Sequence, residues 1–328
     1  MIITRAPLRI SFFGGGTDFP EYFVEHGGAV LATAIDKFTY VTASTFFSQL
    51  FDFSIRASYN QRESVKQVED IQHPVIRVCL EKYGIHKGIE LHTVADLPAF
   101  TGLGSSSSFT VGLLQALESY TGRYSTPLDL AYAAIDIERR RLGEAVGCQD
   151  QVIAAVGGFN VVEFRRETDI RVYRVPLSDA RLQELESHMF LVFTGIKRRA
   201  AEVEKRKIDG LQRHLETLKK MRAMVDEGHA ILTGNRPLCE FGELLHRAWE
   251  SKRSLEGGIS NAAIDEMYQR GIAAGALGGK LLGAGGGGFI LFFAPPERHP
   301  ALRAAFHDCE PVPVRFDAPG SQVIFAGR

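Results

Sequence analysis

A glycine-rich loop followed by four serines is the stretch of this chain whose residue types most clearly suggest chemistry. Residues 98–108 read PAFTGLGSSSS and lie between a strand-like run at 89–94 and an apolar pattern of helical spacing that starts at Phe109. Glycines let the backbone approach a ligand closely, and the first amides of a helix have no helical partner, so this junction suits an anion. Serine hydroxyls can also coordinate a hard cation such as Mg²⁺. The alternative interpretation is a flexible loop with serine N-caps.

A second glycine cluster, residues 283–288 (GAGGGG), formally contains the G-x-G-x-x-G fingerprint of dinucleotide-binding proteins. That fingerprint requires a helix directly after it, whereas residues 289–293 (FILFF) are strand-like, which excludes a dinucleotide oxidoreductase. A P-loop is excluded as well, because Ala274 stands at its first glycine and Leu281 at its Ser/Thr. The cluster is either a plain hairpin turn or a backbone packed close to a ligand, and its length favours the ligand.

Three acidic residues are candidates for a functional site. Asp18 follows the glycines of 14–16 and either caps the next segment or accepts hydrogen bonds from a polyol. Glu138 falls on the apolar stripe of a predicted helix at 128–142, where a glutamate usually binds a metal or pairs with a cation such as one of the arginines 139–141. Asp150 precedes the apolar run 152–156, and its default role is an N-cap.

Hydrophobic periodicity predicts the elements that must position these residues. The predicted strands are 8–13, a pair within 29–45, 159–164, 170–175, 189–194 and the two arms of 280–293. The predicted helices are 62–83, one from Ser105, one from Pro127 to about 143, a long charged stretch over about 208–225, and 264–276. The change of pattern near residue 180 suggests a domain boundary near 185.

Composition narrows the class of protein. The chain has 328 residues, 45% of them hydrophobic and 23% charged, with a formal net charge of −1, so it can bury a large core. No basic block points to nucleic acid. The four cysteines have no metal-type spacing and suggest reduced thiols. Residues 1–16 lack a signal-peptide pattern, and no apolar run approaches the ~20 residues that span a bilayer, so we expect a cytoplasmic protein without a membrane anchor.

Three motifs, taken together and in order, resemble those of the GHMP kinases, the superfamily of galactokinase, homoserine kinase, mevalonate kinase and phosphomevalonate kinase. They are residues 6–12 (APLRISF), 98–107 (PAFTGLGSSS) and 280–289 (KLLGAGGGGF). The resemblance implies a two-domain α+β fold, with an ATP-binding domain at 1–185 similar to ribosomal protein S5 domain 2 and a ferredoxin-like domain at 186–328. It also implies that ATP and Mg²⁺ are used in a cleft between the two.

One branch of that superfamily is more similar than the others. Residues 9–20 (RISFFGGGTDFP), 193–198 and 249–252 are similar to the D-glycero-D-manno-heptose 7-phosphate kinases, with fucokinase domains as neighbours. Galactokinases carry Gly-Glu-His-Thr-Asp where this chain has GGGTD, which argues against galactokinase. The resemblance implies phosphorylation of the anomeric hydroxyl of the heptose phosphate to the 1,7-bisphosphate, for surface-glycan synthesis. A kinase for fucose or another sugar, and a GHMP-fold sugar sensor, remain alternatives.

The resemblance also assigns roles to residues. Asp150 would be the general base or orienting charge beside the acceptor hydroxyl, with Arg9 near it, and Glu138 and Ser106 would hold Mg²⁺. The phosphate-binding residues would be Gly102, Leu103, Gly104, Ser105, Ser106 and Ser107. The acceptor-binding residues would be Gly15, Gly16, Thr17, Asp18, Gly283, Ala284 and Gly285, with Lys197 and Arg198 for the 7-phosphate.

Overall fold

Two β-sheets with packed helices organise the chain in a computed structural model that describes residues 1–99, 101–196, 211–255 and 258–327. The strands are β1 (Ile2–Phe13), β2 (Gly28–Thr45), β3 (Ile55–Ser58), β4 (Arg62–Val65), β5 (Ile89–Ala95), β6 (Phe159–Arg166), β7 (Asp169–Arg174), β8 (Met189–Phe193), β9 (Gly278–Leu281), β10 (Phe289–Phe293) and β11 (Gln322–Ala326). The α-helices are α1 (Pro20–His26), α2 (Pro74–Tyr83), α3 (Ser105–Tyr120), α4 (Pro127–Ile135), α5 (Gln149–Val156), α6 (Asp179–Ser187), α7 (Leu215–Thr233), α8 (Cys239–Arg253), α9 (Ala262–Ala273) and α10 (His299–Ala305). No helix in these ranges is long and apolar enough to cross a membrane.

The larger sheet is built around β2. Its strand order is β11-β1-β2-β5-β3-β4, and β6 pairs with β2 and with β7. We predicted two strands within 29–45, but β2 is one strand of 18 residues. Its first part pairs with β6 and its last part with β5, while β1 runs along both parts, so the strand has partners throughout and needs no turn.

The helix predicted over 62–83 forms only at its end, as α2. Residues 62–65 instead form β4, whose Val65 lies opposite Ile55 of β3. Pro74 stands in the first turn of α2, where its fixed φ and missing amide are compatible with a helix start. The apolar residues upstream of that proline, whose spacing suggested a helix, belong instead to β4 and to a short 3₁₀ turn.

The smaller sheet has the order β8-β10-β9, all antiparallel. It confirms the predicted strand at 189–194 and the predicted strand, glycine turn and strand of 280–293. The helices predicted from Ser105 and from Pro127 are confirmed too, and α4 continues as a π-helix at Asp136–Arg141. The predicted charged helix appears as α7 within the described part of its range.

The fold is therefore α+β with two sheets, as expected. The boundary near residue 185 remains a prediction. One strand from the end of the chain, β11, pairs with β1 at the edge of the larger sheet.

A cluster of phenylalanines joins the two halves of the sequence. The ring of Phe12 in β1 lies 5.5 Å from that of Phe159, 5.3 Å from that of Phe241 and 5.6 Å from that of Phe316, centroid to centroid. Phe12 is fully buried. Aromatic pairs at such distances stabilise a core beyond the area that they bury.

We predict that Phe12→Ala lowers the free energy of unfolding by about 3–5 kcal/mol, because it leaves a cavity that the surrounding rings cannot fill. Urea denaturation measures this loss. Tyr124→Ala, which truncates an aromatic that is 86% exposed, is the control and should change stability by less than ~0.5 kcal/mol. Equal effects of both substitutions would show that this cluster does not hold the two halves together.

Candidate active site

An ion pair between Arg9 and Asp150 lies at the centre of a cleft between the two sheets. Arg9 donates from Nε to Asp150 Oδ1 and from Nη2 to Asp150 Oδ2, both at 2.7 Å, and from Nη1 to the carbonyl of Gly102 at 2.6 Å. The side chain of Arg9 is 5% exposed and that of Asp150 23%. Two parallel hydrogen bonds fix the plane of the carboxylate, and the remaining exposure leaves it open to the cleft.

The glycine-serine loop lies directly against this pair. Gly104, with φ of 77°, ends the loop and precedes the first residue of α3. A Cβ there would lie 3.2 Å from Arg9 Cγ and 3.2 Å from Asp150 Oδ2, so both the backbone conformation and the close approach require glycine. The free amides at the start of α3 consequently face the same space as Asp150, which suits a transferring phosphate.

The second glycine cluster packs against the glycine-serine loop and lines the same cleft. A Cβ on Gly283 would lie only 2.5 Å from the Cα of Gly102, so the turn after β9 packs onto the glycine-serine loop. The amide of Phe289 also donates to the carbonyl of Thr101 at 3.1 Å. The backbone of this cluster therefore contacts the loop that precedes α3, and its contact with a ligand stays a prediction.

Glu138 extends from the π-helix into the cleft and is 1% exposed. Its Oε2 accepts from Ser107 Oγ at 2.9 Å and from Gln151 Nε2 at 2.5 Å. Its Oε1 is buried and has no hydrogen-bond partner among the residues that the structure describes. Burial raises the pKa of Glu138 to about 7, although neighbouring hydroxyl and amide donors oppose the shift. A carboxylate oxygen of this kind is a ligand type that Mg²⁺ prefers.

Asp18 is almost fully buried at the end of the cleft that the GGGTD segment forms. Its Oδ1 accepts from the amide of Gly16 at 2.9 Å and its Oδ2 from the amide of Gln149 at 3.2 Å. Burial raises the pKa of Asp18; these backbone hydrogen bonds lower it, and the negative charge of Asp150 adds to the rise. Asp18 thus ties the GGGTD segment to the start of α5.

Two buried lysines that the sequence analysis did not assign also line the cleft. Lys280 Nζ donates to the carbonyls of Ser11 at 2.7 Å and Phe12 at 2.8 Å, which links β9 to β1. Lys252 Nζ donates to the carbonyl of Gly283 at 2.5 Å and to that of Leu281 at 3.2 Å. Both residues lay in quoted motifs, in KLLGAGGGGF and in 249–252, but only the tertiary structure turns their ammonium groups toward the cleft.

Most of the predicted site residues meet in this one cleft. Those that line it are Arg9, Gly15, Gly16, Asp18, Gly102, Gly104, Ser105, Ser106, Ser107, Glu138, Asp150, Gly283, Ala284 and Gly285. Leu103 and Thr17 are fully buried and are not among the lining residues. Thr17 Oγ1 donates to the carbonyls of Gly14 and Ala29, so this side chain closes a turn instead. Lys197 and Arg198 lie outside the described residues.

Known proteins share this arrangement of sequence and fold. The family description "GHMP kinases N terminal domain" matches residues 70–158, and "GHMP kinases C terminal" matches residues 235–309. A D-glycero-alpha-D-manno-heptose 7-phosphate kinase from Campylobacter jejuni is 30% identical over 310 residues, which cover 90% of each chain. The chain belongs to the GHMP kinases.

Solved structures extend the comparison. A D-glycero-D-manno-heptose 1-phosphate kinase from Bacteroides thetaiotaomicron is similar with a TM-score of 0.80 and 26% identity, over 99% of this chain and 100% of that one. The galactokinase from Lactococcus lactis, in complex with galactose, shares the fold with a TM-score of 0.77 and 19% identity, over 98% and 95% of the two chains. This GHMP kinase is accordingly a phosphotransferase with an alcohol acceptor, and the donor in its family is ATP.

The charge of the cleft fits a metal-bound nucleotide. The acidic residues that line it are Asp18, Glu138, Glu144 and Asp150, and the basic ones are Arg9, Lys252 and Lys280. A polyphosphate placed among these carboxylates needs further positive charge beyond what the three basic side chains supply. Glu138, with its unpartnered oxygen, and the adjacent serines of α3 are oxygen donors of the kind that Mg²⁺ prefers.

The raised pKa of Glu138 predicts how stability depends on pH when no divalent cation is present. The pKa lies near 7 in the folded protein and near 4.5 in the unfolded chain, so the contribution of this carboxyl to stability is present below pH 4.5 and is lost as the pH rises through 7. We expect Glu138→Gln to reduce the fall in melting temperature between pH 5.5 and pH 8 in EDTA.

Thermal unfolding with and without Mg²⁺ tests both the shift and its cause. Mg²⁺ at pH 8 should raise the melting temperature of the wild type more than that of Glu138→Gln. Glu81→Gln, at an exposed glutamate of α2, is the matched control and should behave as the wild type in both comparisons. A Glu138→Gln protein that keeps the wild-type pH dependence and the wild-type response to Mg²⁺ would exclude Glu138 as a cation ligand.

Proposed function

We propose that this GHMP kinase transfers the γ-phosphoryl group of ATP to the anomeric hydroxyl of D-glycero-D-manno-heptose 7-phosphate. The product is the 1,7-bisphosphate, a precursor of nucleotide-activated heptose for surface polysaccharides. The observation that carries the proposal is the position of Asp150, held by Arg9 at 2.7 Å and in contact with the glycine-serine loop. The similarity to a heptose 7-phosphate kinase over 90% of each chain supports the choice of acceptor.

We propose the following roles for residues of this chain in the transfer. The loop at 102–107 and the start of α3 bind the phosphates of ATP through backbone amides. Asp150 accepts a hydrogen bond from the acceptor hydroxyl, orients its oxygen and takes its proton as the new O–P bond forms and the bond to ADP breaks. Arg9 keeps Asp150 in place and contributes positive charge near the transferring group. Glu138 and Ser106 would hold Mg²⁺, which would neutralise negative charge on the phosphate oxygens.

We expect the acceptor to bind at the end of the cleft where Asp18 and the glycines 15–16 lie. The turn 283–285 lines the same cleft beside the glycine-serine loop and would also contact the acceptor, and Lys252 and Lys280 add the positive charge that an anionic sugar phosphate needs. Lys197 and Arg198 stay proposed as ligands of the 7-phosphate. We place the reaction in the cytoplasm, where ATP is available and where unpaired cysteines such as those of this chain persist.

An acceptor panel tests the proposed reaction. ADP release would be followed with ATP, Mg²⁺ and, in turn, D-glycero-D-manno-heptose 7-phosphate, the heptose 1-phosphate, sedoheptulose 7-phosphate, mannose 6-phosphate, fucose and galactose. We expect the highest kcat/KM with the heptose 7-phosphate. The fucokinase of Arabidopsis thaliana is 26% identical over 311 residues that form 29% of its bifunctional chain, so preferential turnover of fucose would favour that activity instead.

We predict that Asp150→Asn lowers kcat by about 10²- to 10⁴-fold, because the amide still occupies the site but does not accept the proton of the acceptor. The affinity for ATP, measured by titration calorimetry, should stay within about threefold of the wild type. Asp169→Asn removes a carboxylate that pairs with Arg171 at the surface, and it should leave kcat unchanged. A kcat of Asp150→Asn within tenfold of the wild type would exclude the role of Asp150.

A further inference from the structure

Two polar atoms at the acceptor end of the cleft lack the partners that buried polar atoms normally have. Ser11 Oγ and Gln149 Oε1 are both buried, and neither has a hydrogen-bond partner among the described residues. Both residues line the cleft, and Ser11 is 7% exposed. Leaving a buried polar atom unpaired is costly, so such atoms in a binding cleft indicate a group that the ligand supplies.

Both side chains border the space in front of Gly15. A Cβ on Gly15 would lie 3.8 Å from Ser11 Oγ and 3.8 Å from Gln149 Nε2, and no other atom would be within 4 Å. The space in front of the Gly15 backbone is thus open, and the two polar side chains border it. Gly15 is not among the glycines with a positive φ, so its lack of a side chain is explained by this space and not by backbone strain.

The backbones of both residues are held in place by groups outside the gap. The carbonyl of Ser11 accepts from Lys280 Nζ at 2.7 Å, and the amide of Gln149 donates to Asp18 Oδ2 at 3.2 Å. Asp18 Oδ1 in turn accepts from the amide of Gly16, the neighbour of Gly15. The backbone around the gap is therefore fixed, and Gln149 directly precedes Asp150 in the chain.

We propose that Ser11 and Gln149 form a specificity subsite that hydrogen-bonds a non-reacting hydroxyl of the sugar acceptor, with Gly15 leaving room for it. The inference rests on the proposed function, since it assumes a polyol acceptor at Asp150. A hydroxyl both donates and accepts, so in front of Gly15 it can accept from Gln149 Nε2 and exchange a hydrogen bond with Ser11 Oγ.

Deoxy acceptors combined with side-chain variants test the subsite. The monodeoxy derivatives of the acceptor with the highest turnover would be compared with the parent for the wild type, Ser11→Ala and Gln149→Met. We expect one derivative to lose roughly 10- to 100-fold in kcat/KM with the wild type, because its binding leaves both protein groups unpaired. With Gln149→Met, the same derivative should lose less than about threefold in kcat/KM, since this variant already lacks the amide that pairs with the hydroxyl.

Gly15→Ala is an independent test because a methyl group would fill the gap without a close contact. It should raise the KM for the acceptor by at least tenfold while the KM for ATP changes by less than threefold. Gly112→Ala is the matched control: its Cβ would also be no closer than 3.5 Å to any neighbour, but it lies on α3 against Ala6 and Val41 and should leave both constants unchanged.

The outcomes separate the subsite from the proposed function. One outcome would overturn the subsite and leave the kinase assignment intact. In it the wild type turns over the acceptor, and the acceptor KM values of Gly15→Ala, Ser11→Ala and Gln149→Met all stay within twofold of the wild-type value. The subsite would also be overturned if each monodeoxy acceptor showed the same loss of kcat/KM with the wild type and with Gln149→Met. No turnover by the wild type with any sugar acceptor would overturn the proposed function and the subsite with it.

Discussion

The bidentate ion pair between Arg9 and Asp150 is the interaction on which the rest of the site depends. It joins the strand β1 to the start of α5, which are 141 residues apart in the sequence, and it also holds the carbonyl of Gly102 in the glycine-serine loop. Removing either partner would leave a charge in a largely buried position, which is strongly unfavourable. The pair therefore fixes three segments relative to one another: the start of α5, which carries Asp150, the glycine-serine loop, which would bind phosphate, and β1, which carries Arg9. The requirement for glycine at position 104 follows from it, since any Cβ there would press against both charged side chains.

Close backbone contact explains why the motifs that carry the resemblance are rich in glycine. The turn after β9 and the loop before α3 meet at Gly283 and Gly102, with less space between them than one Cβ needs. The lysines strengthen the same junction, because Lys252 donates to the carbonyl of Gly283 and Lys280 to carbonyls of β1. The two sheets are thus connected through the cleft itself. A cleft built in this way presents backbone amides and fixed charges, which is what phosphoryl transfer requires of a protein.

The sequence predicted those parts of the fold and site that local patterns determine. The helix after the serines and the strands on both sides of the second glycine cluster follow from periodicity and glycine position, and Glu138 was recognisable as a carboxylate on an apolar stripe. The prediction was wrong for 62–73, because Val65 pairs with Ile55 in a strand and Pro74 sets the helix start. It missed Lys280 in the cleft because its partners, Ser11 and Phe12, are more than 260 residues away. Contacts of that separation leave no signal in hydrophobic spacing.

The unpaired polar atoms divide the cleft into two ends. Glu138 Oε1 lacks a partner beside the serines of α3, and Ser11 Oγ and Gln149 Oε1 lack partners beside Gly15, among the residues that the structure describes. Asp150 connects the two ends, since it contacts Gly104 of the loop and follows Gln149 in the chain. In the proposed reaction, a metal-bound nucleotide would bring positive charge to the first end, and a sugar would bring a hydroxyl to the second. Because the ion pair and the backbone contacts fix the chain around Asp150, the proposed reaction would bring the attacking oxygen and the phosphoryl group together at this carboxylate with little reorganisation of the backbone.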